Sequence, residues 1–321
     1  MGLCRCLLFI LLLGGLAACA SRPINEPITE IDAGSGYRPD LLVSKKPDNE
    51  QSTLFVLSFS GGGTRAAAFS YGVLEELRRT QIVVEGEQRR LIDEVDLITG
   101  VSGGSFTALS YALYDDDLFD DYEQRFLKRD VQSALMWRAV NPLNWGKLLS
   151  RNYGRSELAA EYYDEILFES ATYADLAKSS GPVAIAIGTD VSIGTRFGFY
   201  QYDFDLICSD LDSVSLSRAA ATSSAVPVVL SPVTLNNYGG TCGYTFPPWV
   251  DDILEVEEGE RPAGRALERY KDRSALHDGS NRPFLHLVDG GVSDNIGVRG
   301  VMDTLESAFI SKEFYAERGM N

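Results

Sequence analysis

Basic residues are scarce in this chain. Its 321 residues contain 29 Lys plus Arg against 46 Asp plus Glu, a net charge of −17 at pH 7. Such a surface repels a phosphate backbone, so we expect no nucleic-acid partner. The apolar fraction of 45% and the charged fraction of 23% are those of an ordinary globular protein, and the length suits one sizeable domain.

Long apolar runs are also scarce, since beyond the N-terminus no stretch is long and apolar enough to span a bilayer. The chain begins with Arg5, an apolar run over 6–16 and then small residues. This run is shorter than the roughly 20 residues of a spanning helix, so we predict a signal peptide over 1–18.

Residues 16–19, "LAAC", resemble the bacterial lipobox. The resemblance implies cleavage before Cys19, a diacylglyceryl group on its thiol and a membrane-anchored protein. Ala20 stands where an aspartate would mark inner-membrane retention, which favours the outer membrane, facing the periplasm. An ordinary cleaved signal with an incidental cysteine is the alternative.

Composition divides the remainder of the chain. Residues 19–52 are rich in proline, glycine and charge, and we predict a flexible tether. A catalytic-sized domain is expected over 53–309, and the polar tail 310–321 raises the possibility of a truncated gene product.

Cysteine is limited to five residues, of which Cys4 and Cys6 leave with the signal peptide and Cys19 is the lipidation candidate. Cys208 and Cys242 remain. In an oxidising periplasm they could pair, and two buried thiols are the alternative.

A glycine loop follows the first apolar run of the domain. Residues 53–60, "TLFVLSFS", predict a strand, and "GGGTR" (61–65) leads into a helix whose apolar residues recur at helical spacing. Unpaired N–H groups at such a helix start bind anions. One interpretation is dinucleotide binding, because Gly61, Gly63 and Ala66 fit G-x-G-x-x-A, but no acidic residue closes a following strand. The other is an oxyanion hole.

A second strand, turn and helix surround Ser102 in "LITGVSGGS" (97–105). Gly100 and Gly104 flank this serine at two residues on each side, which gives a G-x-S-x-G nucleophile elbow. The pattern predicts a strand over 95–99, a sharp turn at Ser102 and a helix over about 103–114. Ser105 is a poorer candidate because Thr107 occupies its second small-residue position.

Histidine is nearly absent, and this decides the candidate base. The two histidines are His277, expected in a solvated loop, and His286, expected to pack within a buried strand. His286 lies three residues before Asp289, so the two side chains point to opposite faces of a strand. A Ser-His-Asp triad is therefore disfavoured. Asp289, at the end of the strand in "LHLVDGG", is the alternative base. A purely structural role, as an aspartate hydrogen-bonded within a turn, is the other interpretation.

Four blocks together make the sequence similar to bacterial patatin-like phospholipases, over roughly residues 53–303. They are the glycine block with Arg65, the elbow with Ser102, "RAAATSSAVPVVLSPV" (218–233) and the D-G-G block of Asp289, Gly290 and Gly291. The resemblance implies a three-layer α/β/α fold with a mainly parallel central sheet. It also implies a Ser102–Asp289 dyad that hydrolyses acyl esters of lipids.

In the implied mechanism, the N–H groups of Gly61, Gly62 and Gly63 stabilise the oxyanion. Arg65 either braces the glycine loop or binds a phosphate headgroup. No metal or other cofactor is required, membrane lipids are substrate and anchor, and no obligate protein partner is evident. The alternatives are a nucleotide-binding enzyme and a catalytically silent envelope lipoprotein.

Two regions could control access to the site. Residues 133–155 mix tryptophan and leucine with arginine and lysine, which indicates either an interfacial surface or ordinary core packing. Residues 235–283 form a long irregular stretch that is either a lid or an inert insertion.

Overall fold

The computed structural model describes residues 21–43, 53–84, 86–246 and 264–302. The signal peptide, Cys19, the tail 310–321 and residues 247–263 of the second access region lie outside these ranges. None of the helices within them combines the length and the apolar character needed to cross a bilayer.

A mixed sheet of six strands forms the centre of the domain, and a separate hairpin pairs β2 with β3. The strands are β1 Val56–Phe59, β2 Gln81–Val84, β3 Glu87–Arg90, β4 Leu97–Val101, β5 Val183–Asp190, β6 Thr195–Gly198, β7 Val233–Asn236 and β8 Phe284–Asp289.

The sheet order is β1-β4-β5-β8-β7, and β6 also pairs with β5. Strands β1, β4 and β5 run parallel to one another. Strands β6 and β8 pair antiparallel with β5, and β7 pairs antiparallel with β8. The parallel strands are thus the core of the sheet, which is extended by antiparallel strands at the side that carries Asp289.

Helices flank the sheet, and the predicted α/β/α fold is confirmed. The helices are α1 Pro39–Val43, α2 Thr64–Arg79, α3 Gly103–Tyr114, α4 Leu118–Tyr122, α5 Val131–Val140, α6 Pro142–Leu148, α7 Arg155–Tyr163, α8 Tyr173–Leu176, α9 Gln201–Leu206, α10 Leu216–Ser223, α11 Gly264–His277 and α12 Gly291–Asp294.

Strands β4 and β5 and helix α3 are almost entirely buried, so the core lies around them. Every residue of β5 is buried, as are ten of the twelve residues of α3. A strand that is buried on both faces has a continuous apolar sequence rather than an alternation of apolar and polar residues, and β5 begins with such a run, "VAIAI". The elbow at Ser102 connects β4, in which four of five residues are buried, to the buried helix α3.

Residues 21–43 pack against the domain, so the prediction of a flexible tether is wrong for this part of 19–52. Tyr37 and Arg38 are buried. Arg38 forms an ion pair of 2.7 Å with Asp205, and the hydroxyl of Tyr37 accepts a hydrogen bond from the amide of Ala184. These partners lie more than 140 residues away in the sequence. Local composition could not reveal such contacts.

Cys208 and Cys242 form a disulfide with a Cα–Cα distance of 5.5 Å. Of the two alternatives left open by the sequence, the paired one is present. The bond closes a loop across 34 residues and ties the end of α9 to the segment after β7. In the chain-entropy model a loop of this length stabilises the fold by roughly 3 to 4 kcal/mol.

Candidate active site

Ser102 stands in the turn between β4 and α3 in a backbone conformation that is rare for a residue with a side chain. Its φ is 50° and its ψ is −120°. Conformations of this kind cost about 1–3 kcal/mol and persist where the surrounding structure enforces them. The strand, turn and helix predicted around this serine are all present, with α3 over the predicted residues and β4 shifted to Leu97–Val101.

Close backbone contacts enforce the turn and explain its glycines. A Cβ atom on Gly103 would lie 2.0 Å from the carbonyl oxygen of Gly63, and one on Gly104 would lie 2.4 Å from that of Phe59. A Cβ atom on Gly100 would lie 2.6 Å from the Cα of Ser105. Helix α3 therefore packs against the glycine loop and β1 at distances that only glycine permits.

Asp289 reaches Ser102 across a single strand. Val101 of β4 is in register with Ile187 of β5, and the next residue of β5, Gly188, is in register with Asp289. The Oγ of Ser102 donates a hydrogen bond of 2.8 Å to Oδ2 of Asp289. Strand β8 runs antiparallel to β5. The chain therefore runs toward Asp289 in the direction opposite to that of a parallel strand at the same place in the sheet.

The environment of Asp289 makes its carboxylate more basic than usual. Both Asp289 and Ser102 are buried. Burial raises the pKa of the Asp289 carboxyl above its ordinary value of 3.8, while hydrogen bonds from the Gly291 amide and the Ser102 hydroxyl partly oppose this rise. Desolvation disfavours the charged form of a carboxylate, so this group accepts a proton more readily than an exposed aspartate.

The three glycines of the predicted oxyanion hole differ in what their amides do. The N–H of Gly61 donates to the carbonyl of Asn295 at 2.9 Å, so it is not available to a substrate, contrary to prediction. Gly62 and Gly63 have φ of 150° and 65° and line the same cavity as Ser102. Among the described residues their amides have no acceptor. Two amides beside the serine are therefore available to an oxyanion.

Ser223 holds the nucleophile in place, and the sequence analysis gave it no role. Its Oγ accepts a hydrogen bond of 2.9 Å from the Ser102 amide and donates one of 2.7 Å to the carbonyl of Ile187. The carbonyl of Ser223 also accepts from the amide of Gly290. Ser223 belongs to the small-residue block 218–233, and the occurrence of that block beside the other three was the only available indication of its role.

Asn295 is a second residue that the sequence analysis missed. Its backbone carbonyl accepts the hydrogen bond from the Gly61 amide. Its side-chain oxygen also lies against Gly61, since a Cβ atom added to that glycine would be 2.3 Å from it. The residues that follow it are bonded to the sheet, since Ser58 donates to the carbonyl of Ile296 and Thr99 donates to that of Gly297. The segment after Asp289 thus connects the D-G-G block to the glycine loop.

Arg65 is exposed and lines the mouth of the cavity. It has no hydrogen-bond or ion-pair partner among the described residues. The alternative in which Arg65 braces the glycine loop therefore has no supporting contact, and its guanidinium is open to a ligand at the cavity mouth.

Neither histidine takes part in the dyad. His286 lies exposed on β8, where its Nδ1 is 3.1 Å from Oγ1 of Thr234, so the expectation that it packs within a buried strand is wrong. His277 ends α11, packs against Tyr244 and Phe246, and its Nδ1 lies 2.9 Å from the carbonyl of Leu206. It is therefore not a solvated loop residue. Among the described residues, the hydrogen-bond partners of the Asp289 carboxylate are Ser102 and Gly291.

A cavity of about 830 Å³ opens onto Ser102. Its polar end consists of the glycine loop, Arg65 and Ser102, and its walls are mainly apolar, with Phe106, Leu135 and Leu158 among them. This volume lies within the roughly 300–1,000 Å³ of ligand pockets. An apolar cavity with polar groups at one end suits an extended hydrocarbon chain attached to an ester.

Helices α5 and α6, which cover most of residues 131–148 and overlap the first access region, contribute no fully buried residue to the domain. Leu143 is 88% exposed, Leu149 is 84% exposed, and Trp137 and Trp145 are exposed as well. The alternative in which these aromatics pack in the core is therefore wrong.

Comparison with known proteins assigns the chain to a family. The model of the family described as "Patatin-like phospholipase" matches residues 57–302, which is most of the chain. No curated protein matches the chain. Among solved structures it is similar to human GIVD cytosolic phospholipase A2, with 12% sequence identity and a TM-score of 0.44. That alignment covers 94% of this chain and 54% of the other, so the chain spans about half of that structure's length. Because the family model matches most of the chain, the chain belongs to the patatin-like phospholipase family.

Proposed function

We propose that this chain is a serine acyl hydrolase that cleaves ester-linked acyl chains of membrane lipids through a dyad of Ser102 and Asp289. Membership of the family supports lipid acyl hydrolysis in general. The observation that carries the specific proposal is the 2.8 Å hydrogen bond from the strained, buried Ser102 to Asp289, beside the available amides of Gly62 and Gly63.

In the first step, Oδ2 of Asp289 takes the proton of Ser102 as its Oγ attacks the ester carbonyl. The amides of Gly62 and Gly63 then stabilise the negative charge on the former carbonyl oxygen, and each such donor contributes about 3 kcal/mol in the transition state. The raised pKa of the Asp289 carboxyl narrows the difference in basicity between an aspartate and a serine alkoxide.

In the second step, the proton on Asp289 passes to the leaving alcohol and an acyl-enzyme remains on Ser102. A water molecule that gives its proton to Asp289 then attacks this ester, and Asp289 returns the proton to Oγ of Ser102 as the C–Oγ bond breaks and the fatty acid is released. The apolar cavity accommodates the acyl chain during both steps. The reaction as written needs no metal or organic cofactor.

Arg65 is the proposed contact for a phosphate headgroup. It is exposed at the cavity mouth and lacks a carboxylate partner among the described residues. A guanidinium recognises phosphate through paired N–H donors, so Arg65 would favour phospholipids over neutral esters.

The proposed location is the cell envelope. Lipidation of Cys19 would anchor the protein, in our proposal to the outer membrane facing the periplasm, where membrane lipids are both anchor and substrate. The disulfide between Cys208 and Cys242 is consistent with an oxidising compartment.

Phospholipid hydrolysis tests the proposal. The purified full-length chain is incubated with mixed micelles of detergent, phosphatidylethanolamine and phosphatidylglycerol, and the released fatty acids and lysolipids are measured by mass spectrometry. We expect release by the wild type, none by Ser102→Ala, and wild-type release by Ser280→Ala, an exposed serine that does not line this cavity. Lack of release by a folded wild type, or undiminished release by Ser102→Ala, contradicts the proposal.

A further inference from the structure

Exposed apolar side chains are concentrated on two adjacent helices. We define the α5–α6 surface by six residues, each more than half exposed: Met136, Trp137, Val140, Leu143, Trp145 and Leu149. An exposed apolar patch of this kind marks an interaction site rather than ordinary surface. Tryptophan in particular suits the boundary between water and lipid, because its ring is apolar while its N–H requires a polar partner.

The cavity that reaches Ser102 opens beside this surface. Met136 and Val140 belong to both, since they line the cavity and are exposed. From a second segment of the chain, Val226 and Val229 also line the cavity and are exposed, and the neighbouring Val228 is 89% exposed. Two segments therefore contribute exposed apolar side chains to the cavity lining.

The segment that carries the α5–α6 surface is basic, although the chain as a whole is acidic. Residues 131–155 contain four basic residues and no acidic one, whereas the whole chain carries −17. Arg138 and Lys147 pair with Glu165 and Glu161. Arg151 and Arg155 have no carboxylate partner among the described residues. Cations flanking an apolar face suit a bilayer that contains anionic lipids.

The start of the described chain lies at the same side. The amide of Arg22 donates a hydrogen bond of 2.7 Å to the carbonyl of Asn152, which follows α6 closely in the sequence. Cys19 precedes Arg22 by three residues, so the intervening chain reaches at most roughly 11 Å. A lipid on Cys19 would thus insert next to the α5–α6 surface.

From these four observations we infer that the α5–α6 surface docks on a bilayer containing anionic lipids and holds the cavity mouth against it. A lipid then passes from the membrane to Ser102 without crossing bulk water. The inference rests on the proposed function for the fate of that lipid, whereas the docking itself does not depend on Ser102.

The decisive variant is Leu143→Gln combined with Leu149→Gln, since neither residue lines the cavity. The matched control is Val83→Gln, which alters a residue that is 70% exposed on the hairpin after α2. Helix α2 begins at the cavity mouth and its 16 residues span about 24 Å, so Val83 lies far from the docking surface.

Two activities of the full-length chain are compared for each variant. We expect the leucine double variant to lose about tenfold or more of its hydrolysis of phosphatidylethanolamine–phosphatidylglycerol vesicles. Its hydrolysis of a soluble short-chain ester should remain unchanged, and Val83→Gln should behave as wild type on both substrates. Equal vesicle hydrolysis by the double variant and the wild type overturns the inference.

Fluorescence quenching separates docking from catalysis. In a Trp145→Phe/Trp249→Phe background, Trp137 is the remaining tryptophan, and brominated lipids in the vesicles should quench its emission, including in an added Ser102→Ala variant. Quenching without hydrolysis by the active chain contradicts the proposed function and leaves docking intact. Absence of quenching overturns docking. So does a dimer in light scattering that the leucine substitutions dissociate without affecting vesicle hydrolysis.

Discussion

The nucleophile elbow and the α5–α6 surface lie next to the same cavity and are built in opposite ways. At the elbow, Ser102 is surrounded by glycines whose neighbours leave no room for a methyl group. Across the cavity, α5 and α6 bury none of their residues. The chain's own packing fixes the geometry of the reacting groups, whereas the six side chains of the α5–α6 surface are each more than half exposed. A rigid elbow of this kind suits catalysis, whereas an exposed apolar surface suits association with a partner.

Replacing Gly104 with alanine should produce the largest change in stability. The new Cβ would lie 2.4 Å from the carbonyl oxygen of Phe59, so either β1 or α3 must move. Overpacking of this kind costs about 3 kcal/mol or more, and urea denaturation measures it as a lower midpoint. Gly72→Ala is the control, because nothing lies within 4 Å of the added atom in α2 and stability should rise by up to about 1 kcal/mol. Similar midpoints for the two variants would mean that the elbow is not tightly packed.

The pH dependence of kcat/KM reports the base. Because Asp289 must be ionised to accept the proton, activity is present above its pKa and falls as the pH drops through it, by about tenfold per unit. That pKa lies above the ordinary 3.8, since burial raises it. We therefore expect one acidic limb, measured with a soluble ester, and the same limb in His286→Gln. A limb that disappears in the histidine variant would assign the base to histidine.

Ser102→Gly and Ser102→Ala both remove the hydroxyl, and they differ in backbone strain. Because the φ of 50° disfavours a residue with a Cβ atom, we expect the glycine variant to be more stable than the alanine variant by about 1 kcal/mol. Thermal unfolding of the pair measures the difference. If alanine is the more stable, the turn is not strained.

Substitution at the α5–α6 surface should have the smallest effect on folding. Leu143 is 88% exposed, so Leu143→Ala is expected to change the free energy of unfolding by no more than about 0.5 kcal/mol. Urea denaturation compares it with the wild type. A loss of 2 kcal/mol or more, a magnitude typical of core truncation, would place Leu143 in the core and remove the contrast between the two regions.

The local parts of the site could be predicted from sequence because each is encoded by a few consecutive residues. The elbow at Ser102, the glycine loop and the D-G-G block all follow from spacing and from strand-to-helix transitions. The register that brings Asp289 to Ser102 across Gly188 depends on sheet topology, and the antiparallel direction of β8 was not expected.

Long-range contacts account for what the sequence analysis missed. Ser223 and Asn295 act through hydrogen bonds to backbone groups far along the chain, and nothing in their local sequence distinguishes them from other small polar residues. The burial of Tyr37 and Arg38 likewise depends on Ala184 and Asp205. The exposure of the tryptophans could not be inferred from composition, because apolar residues among cations suit a core edge and an interfacial surface equally well.

Fluorophosphonate labelling is the sharpest test of the dyad of Ser102 and Asp289, because the probe reacts preferentially with an activated serine. The full-length wild type is treated beside Ser102→Ala, Asp289→Asn, His277→Gln and His286→Gln, and the adduct is located by mass spectrometry. We expect an adduct on Ser102 that is absent in the alanine variant, strongly reduced in Asp289→Asn and unchanged in both histidine variants. A folded wild type that is not labelled, or labelling that depends on a histidine rather than on Asp289, would rule out the dyad.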